Sequence, residues 1–151
     1  MTRVSWNQYF MQIAFLAATR STCERRQVGA VIVKNNNIVS TGYNGAPAGV
    51  SHCAVAGCLR AKHNIPSGER HEMCRGAHAE QNAVAQAAKN GTAIDGATIY
   101  CTNMLCVFCA KLAINSGIKH VFFAEGYGDD MSLELLNEAG VTVTKVSKDE
   151  I

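Results

Sequence analysis

The sequence predicts an α/β fold, a three-layer α-β-α sandwich around a mixed sheet of five strands. Three observations predict it. An apolar pattern of helical period is followed by two β-rich runs. Strand and helix patterns then alternate through the second half. Apolar residues make up 48% of the 151, enough for one core without disulfide staples, so the expectation is a single domain over 1–151.

Trp6, Tyr9, Phe10, Ile13, Leu16 and Ala17 recur at helical spacing after Ser5, whose hydroxyl suits an N-cap, so a helix is expected over about 5–19. Val28–Val33 and Ile38–Gly42 are β-rich runs separated by Lys34-Asn35-Asn36-Asn37, whose asparagines tolerate the left-handed backbone of a tight turn, and they read as a hairpin. Between about 45 and 76 the periodicity disappears while Gly, Pro, His and Cys accumulate. A loop that long needs its own anchor. Beyond it the pattern predicts helix at about 77–90, strand 97–102, helix 106–116, strand 118–124, helix 131–139 and strand 141–146. Asn90-Gly91, Gly117 and Gly140 fall where helix C-caps belong.

Composition narrows the function. With 14 Lys+Arg against 12 Asp+Glu and a formal charge of +2, the chain lacks the basic footprint of a polynucleotide-binding surface, so no nucleic-acid partner is expected. No apolar stretch reaches the roughly 18 residues of a membrane span, and the N-terminus lacks a secretory pattern, so no membrane partner is expected and the cytoplasm is the predicted compartment. Seven cysteines in a reducing compartment point to metal binding rather than to disulfides.

The chemistry concentrates in two short motifs. His78-Ala79-Glu80 opens one predicted helix and Cys106-Val107-Phe108-Cys109 opens another. Cysteines three apart on a helix face the same way, so Cys106 and Cys109 can chelate one ion with His78, and two thiolates with one imidazole suit zinc. Three protein ligands leave a fourth position for water, which marks a catalytic zinc. Glu80 is then the expected proton shuttle: it accepts a proton as zinc-bound hydroxide forms, delivers it to the ring nitrogen beside the attacked carbon, and assists ammonia departure. The order H-x-E followed by P-C-x-x-C is the signature of zinc deaminases. Leu105 stands where that signature has proline, which removes a fixed φ but no ligand and no proton carrier.

Four segments carry a resemblance over nearly the whole chain: Gln27–Val33, Ser40–Gly49 with Tyr43-Asn44-Gly45 at its centre, His78–Ala83, and Cys106–Ala110 with Ser116–Lys119. On these the chain resembles the deoxycytidylate deaminases of the cytidine-deaminase superfamily, of phage and bacterial type. The resemblance implies hydrolysis of dCMP to dUMP and ammonia, supplying dUMP for thymidylate synthesis, in the host cytoplasm if the source is a phage. It implies substrate contacts at Asn44, Ala79 and Tyr127. For the 5′-phosphate, the nearest candidates are Ser21 and Arg26, in the loop before the first strand. It also implies a homohexamer activated by dCTP, inhibited by dTTP, with Mg2+ on the effector phosphates. Lys89 is the candidate effector contact.

A second, structural zinc is expected to anchor the irregular segment. Spacing alone offers Cys53-x4-Cys58 and His71-x2-Cys74 as two chelating pairs. The resemblance instead implies Cys23 and Cys53 with ligands just upstream of His78. The favoured set is Cys23, Cys53, His71 and Cys74, with Cys58 in reserve. Two rival functions share the first metal site: a deaminase of adenosine in transfer RNA, disfavoured by the weak charge, and a non-catalytic zinc-stabilised interaction module, disfavoured by Glu80.

Overall fold

The computed structural model describes residues 1–126 and 129–151, the side chain of Lys148 excepted. The elements are α1 (Trp6–Ala18), β1 (Gly29–Lys34), β2 (Asn37–Tyr43), α2 (Cys53–Ala56), α3 (Leu59–Lys62), α4 (Ala79–Lys89), β3 (Thr98–Asn103), α5 (Val107–Asn115), β4 (His120–Glu125), α6 (Asp130–Glu138) and β5 (Thr142–Lys145), with 3-10 turns at His71–Met73 and Lys148–Glu150. Ser5 caps α1 as expected, accepting from the Gln8 amide while the Gln8 side chain accepts from the Ser5 amide. The hairpin turns on Asn35 and Asn36 at φ 51° and 58°, the left-handed backbone that asparagine tolerates.

The five strands form one sheet in the order β2-β1-β3-β4-β5. The β1 strand runs antiparallel to both neighbours, β2 and β3, while β3, β4 and β5 are parallel. The sandwich and its mixed five-stranded sheet are those the sequence predicts. Alternate residues of each strand divide the core. Val31, Val33 and Tyr100 meet Phe10, Met11 and Ala14 of α1 on one face. On the other, Ala30, Ile32, Ile99 and Cys101 meet the alanines of α4 and α5.

Two glycines set the layer spacing. A Cβ on Gly29 would lie 2.0 Å from the Ala14 carbonyl oxygen of α1, and one on Gly42 would lie 2.2 Å from the Ala79 oxygen and 2.5 Å from the Ala83 nitrogen of α4. Both obstacles are backbone, so neither can swing aside. The Ser40 hydroxyl donates to the Ala83 carbonyl at 2.8 Å, fixing α4 along the same strand.

The irregular segment at 45–76 contains α2 and α3, which the sequence reading left as loop. Four residues give no measurable period, and their ends are held by local backbone bonds such as Gly57 N–H to the Cys53 carbonyl at 2.7 Å.

Gly42→Ala is expected to force α4 off the sheet, costing about 3 kcal/mol as overpacking, which is roughly 6–12 °C in Tm for a chain of this size. Because α4 carries Glu80, turnover should fall with it. A melting curve and an activity assay check both, and an unaltered Tm would show that the close approach is not rigid.

Candidate active site

The segment leading into α4 is held on both sides. Gly45 and Ala77 exchange backbone bonds of 3.1 and 2.8 Å, and the Asn82 side chain donates to the Tyr43 carbonyl at 2.8 Å. His78 is thereby fixed as the extended N-cap residue of α4, with its amide donating to the Gln81 side chain at 2.7 Å. Cys106 is likewise the N-cap of α5, one residue before the helix, which the sequence reading began at Cys106 itself, and Cys109 lies buried in the first turn. The approach to Cys106 is held by Met104 N–H to the Glu125 carbonyl, 2.9 Å, and by the wholly buried Leu105.

The result is convergence. His78 Nδ1 lies 3.2 Å from Cys109 Sγ and 3.5 Å from Cys106 Sγ, and the three ligand atoms lie within 4.8 Å of one another. Among the described residues no other three such atoms close to that distance. Hydrogen bonding from the Cys109 thiol, and then from His78, draws the Cys106 thiol down to about 4 although burial opposes it. Donation to Cys106, together with burial, pushes Cys109 up. The hydrogen bond to Cys106 raises His78 against burial. Two sulfurs crowded on one imidazole, with negative charge gathering on one of them, form a donor set suited to a cation. Nitrogen and two sulfurs are what zinc takes.

Glu80 is buried, with 5% of its surface exposed, and burial, the largest cause, raises its carboxyl above the ordinary range. Its Oε1 accepts from the Cys101 thiol at 3.4 Å. Cys101 belongs to neither of the two sequence motifs. The signal for more was parity, because Cys101 shares the Ile99 face of β3, which α4 covers.

A cavity of about 440 Å³ joins these groups to the expected substrate residues, with Asn44, Ala79, Arg26, His78, Glu80 and Cys106 all in its lining. Asn44 arrives oriented. Its Oδ1 accepts from Val28 N–H at 2.8 Å and from the Ser21 hydroxyl at 2.6 Å, and its Nδ2 donates to the Arg26 carbonyl at 2.8 Å. One N–H remains to offer a ligand. Ser21 is not among the cavity-lining residues, and its one hydroxyl proton is directed at Asn44. Tyr127 lies outside the described residues. Lys89 is exposed at the far end of α4.

The candidates for a second metal are brought to one region without closing as the first three do. The Cys53 thiol is raised by burial and then by the neighbouring Cys58, Cys74 and Cys23, so four cysteines share one neighbourhood. His71 turns elsewhere. Its ring packs 5.0 Å from His78 and 5.7 Å from Phe108, with its Nδ1 buried and unpartnered.

The sequence matches the family described as "Cytidine and deoxycytidylate deaminase zinc-binding region" over residues 4–125. The chain belongs to this family. Among curated relatives of this deaminase family, it is 45% identical to the ComE operon protein 2 of Bacillus subtilis (strain 168), covering 100% of this chain and 76% of that protein. It is 37% identical to the deoxycytidylate deaminase of Saccharomyces cerevisiae over 97% of this chain, and spans about half, 46%, of the yeast protein's length. The crystal structure of the dCMP deaminase of cyanophage S-TIM5, in complex with dCMP and dUMP, superposes with a TM-score of 0.79 at 30% identity, covering 97% of this chain and 100% of that one. Zinc is thus the metal of this family, and His78, Cys106 and Cys109 are the residues that would hold it. Zinc bound there supplies Lewis acidity that makes water nucleophilic near neutral pH. The buried Glu80 carboxylate would take the proton that water gives up and deliver it to the ring nitrogen, then carry a second proton, from the hydroxyl added to the attacked carbon, to the leaving amine.

Glu80→Gln is expected to keep its zinc while losing roughly 10²–10⁴-fold in turnover, the range for removing a positioned acid–base group. Metal analysis beside ammonia release checks this, and near-normal turnover with zinc retained would remove Glu80 from the mechanism.

Proposed function

We propose that this chain deaminates dCMP to dUMP with release of ammonia, through His78, Cys106, Cys109 and zinc, with Glu80 moving the proton. The observation that carries the reading is one cavity holding both the metal donors with Glu80 and, in the same lining, a pre-oriented Asn44 and the cationic Arg25 and Arg26. The donors and Glu80 suit amine hydrolysis. Asn44 suits a sugar hydroxyl, and the arginines suit a phosphate. The relatives named for deoxycytidylate support the base and the sugar.

The deciding assay is the fall in ultraviolet absorbance on dCMP, beside deoxycytidine and an adenosine-containing RNA. Conversion of dCMP is the expected result. Conversion of the RNA alone would establish a nucleic-acid deaminase, and no conversion with zinc bound would establish a non-catalytic module.

The same reading includes a second zinc that anchors the segment at 45–76. Cys23, Cys53 and Cys74 are its expected ligands, and the electrostatic neighbourhood of Cys53 supports Cys58 over His71 as the fourth. Metal analysis should find two zinc ions per chain, falling to one in Cys53→Ser. An unchanged stoichiometry would exclude Cys53.

Regulation completes the proposal: a homohexamer in the cytoplasm, activated by dCTP with Mg2+ on its phosphates and inhibited by dTTP. In this scheme Lys89 serves an effector across a subunit interface, because the eleven residues of α4 put it about 16 Å from His78. No helix among the described residues is long and apolar enough to cross a membrane.

A further inference from the structure

Arg60 is a buried cation with no carboxylate paired to it among the described residues. It lies on α3 with 9% of its surface exposed. Its Nη2 donates to the Pro66 carbonyl at 3.2 Å, while its Nε is enclosed and unpartnered. The ion pair found among the described residues is Arg70 with Glu72, so no carboxylate neutralises Arg60. Enclosing a guanidinium on these terms is costly unless something else compensates it.

Its surroundings indicate what does. Arg60 lines the cavity that holds His78, Glu80 and Asn44, together with Arg25 and Arg26. Arg25 is oriented in the same manner, its Nη2 donating to the Ile65 carbonyl at 2.7 Å. Two successive carbonyls, of Ile65 and Pro66, thus hold two guanidiniums by one edge each; Arg25 also bonds the Cys58 thiol, whereas the Nε of Arg60 has no partner. The acids of the same lining are committed: Asp129 caps α6 by accepting from Ser132 N–H at 2.6 Å, and Glu80 is the proton carrier.

We propose that Arg60 binds the 5′-phosphate of the substrate and so determines the preference for a nucleotide over a nucleoside. This rests on the reading of the chain as a dCMP deaminase. A phosphate presents several acceptor oxygens and two negative charges, and a guanidinium pre-positioned in the lining of the cavity meets it with little reorganisation. The substrate's own phosphate is the source, because Arg60 shares the reaction cavity. The test is therefore run with no triphosphate present.

In Arg60→Gln, KM for dCMP should rise 10–100-fold, which is about 1.4–2.8 kcal/mol, with a far smaller effect on kcat. Inhibition by dUMP should weaken by the same factor and inhibition by deoxyuridine, which lacks the phosphate, much less. An unchanged KM, or equal weakening by dUMP and deoxyuridine, would overturn the assignment. If Arg60→Gln does not fold, Arg60→Lys decides. It keeps the charge and loses the fork, and its KM for dCMP should rise several-fold; a wild-type value would overturn the role. Failure of the wild-type chain to convert dCMP would overturn the nucleotide reading itself, a result distinct from any of these.

Discussion

The architecture depends on the close approach between β2 and the first turn of α4, where Gly42 leaves no side chain between strand and helix. Ala79 and Ala83, the residues pressed against it, bracket Glu80 and follow His78 directly. The depth at which the imidazole and the carboxylate sit is therefore set by a missing methyl on a neighbouring strand. Gly29 does the same for α1 on the opposite face, and it is bonded through the sheet to Tyr43, one residue beyond Gly42. The three layers are pinched together at one end of the hairpin. There the chain continues through Asn44 and Gly45 into the reaction cavity. Packing and chemistry share that contact, because a shift there moves ligand, proton carrier and substrate contact together.

The metal donors and the proton carrier answer different physical demands within a few ångströms. The sulfurs and the imidazole are crowded so that negative charge gathers where a cation is to sit. Glu80 is enclosed so that its proton affinity rises toward that of the groups it must serve. Asn44 is neither charged nor enclosed, yet it is the most constrained. Its amide ties Arg26 and Val28 of one loop to Ser21 at the end of α1 before any ligand arrives. A sugar hydroxyl meets a group whose ordering cost was met during folding.

What could be read from the sequence was what repeats or what spacing alone determines. The helical period after Ser5, the asparagine turn and the βα alternation gave the layers and the strand count. The H-x-E and C-x-x-C spacings brought three donors together on paper as they are in space. Three things could not be read. His78 and Cys106 cap their helices instead of beginning them, a one-residue difference of backbone angle to which side-chain pattern is blind. The α2 and α3 helices are too short to have a period. Arg60 stands in that aperiodic stretch, where neither its burial nor its neighbours leave any local mark, so the most enclosed arginine looks on paper like any surface cation. Cys101 was within reach through strand parity. Its thiol contact with Glu80 required knowing which strand lies under which helix.

Leu105 replaces the proline of the family signature, and it is wholly buried, with its carbonyl accepting from the Ser132 hydroxyl of α6 at 2.8 Å. A proline would hold this turn by covalent geometry, which is indifferent to temperature. Leucine holds it by burial, which weakens on cooling and is lost when the core loosens. The stiffness of the approach to Cys106 is thereby joined to the thermodynamics of the whole domain. The metal site of this chain loses its shape together with the core and cannot outlast it as a separately braced loop could.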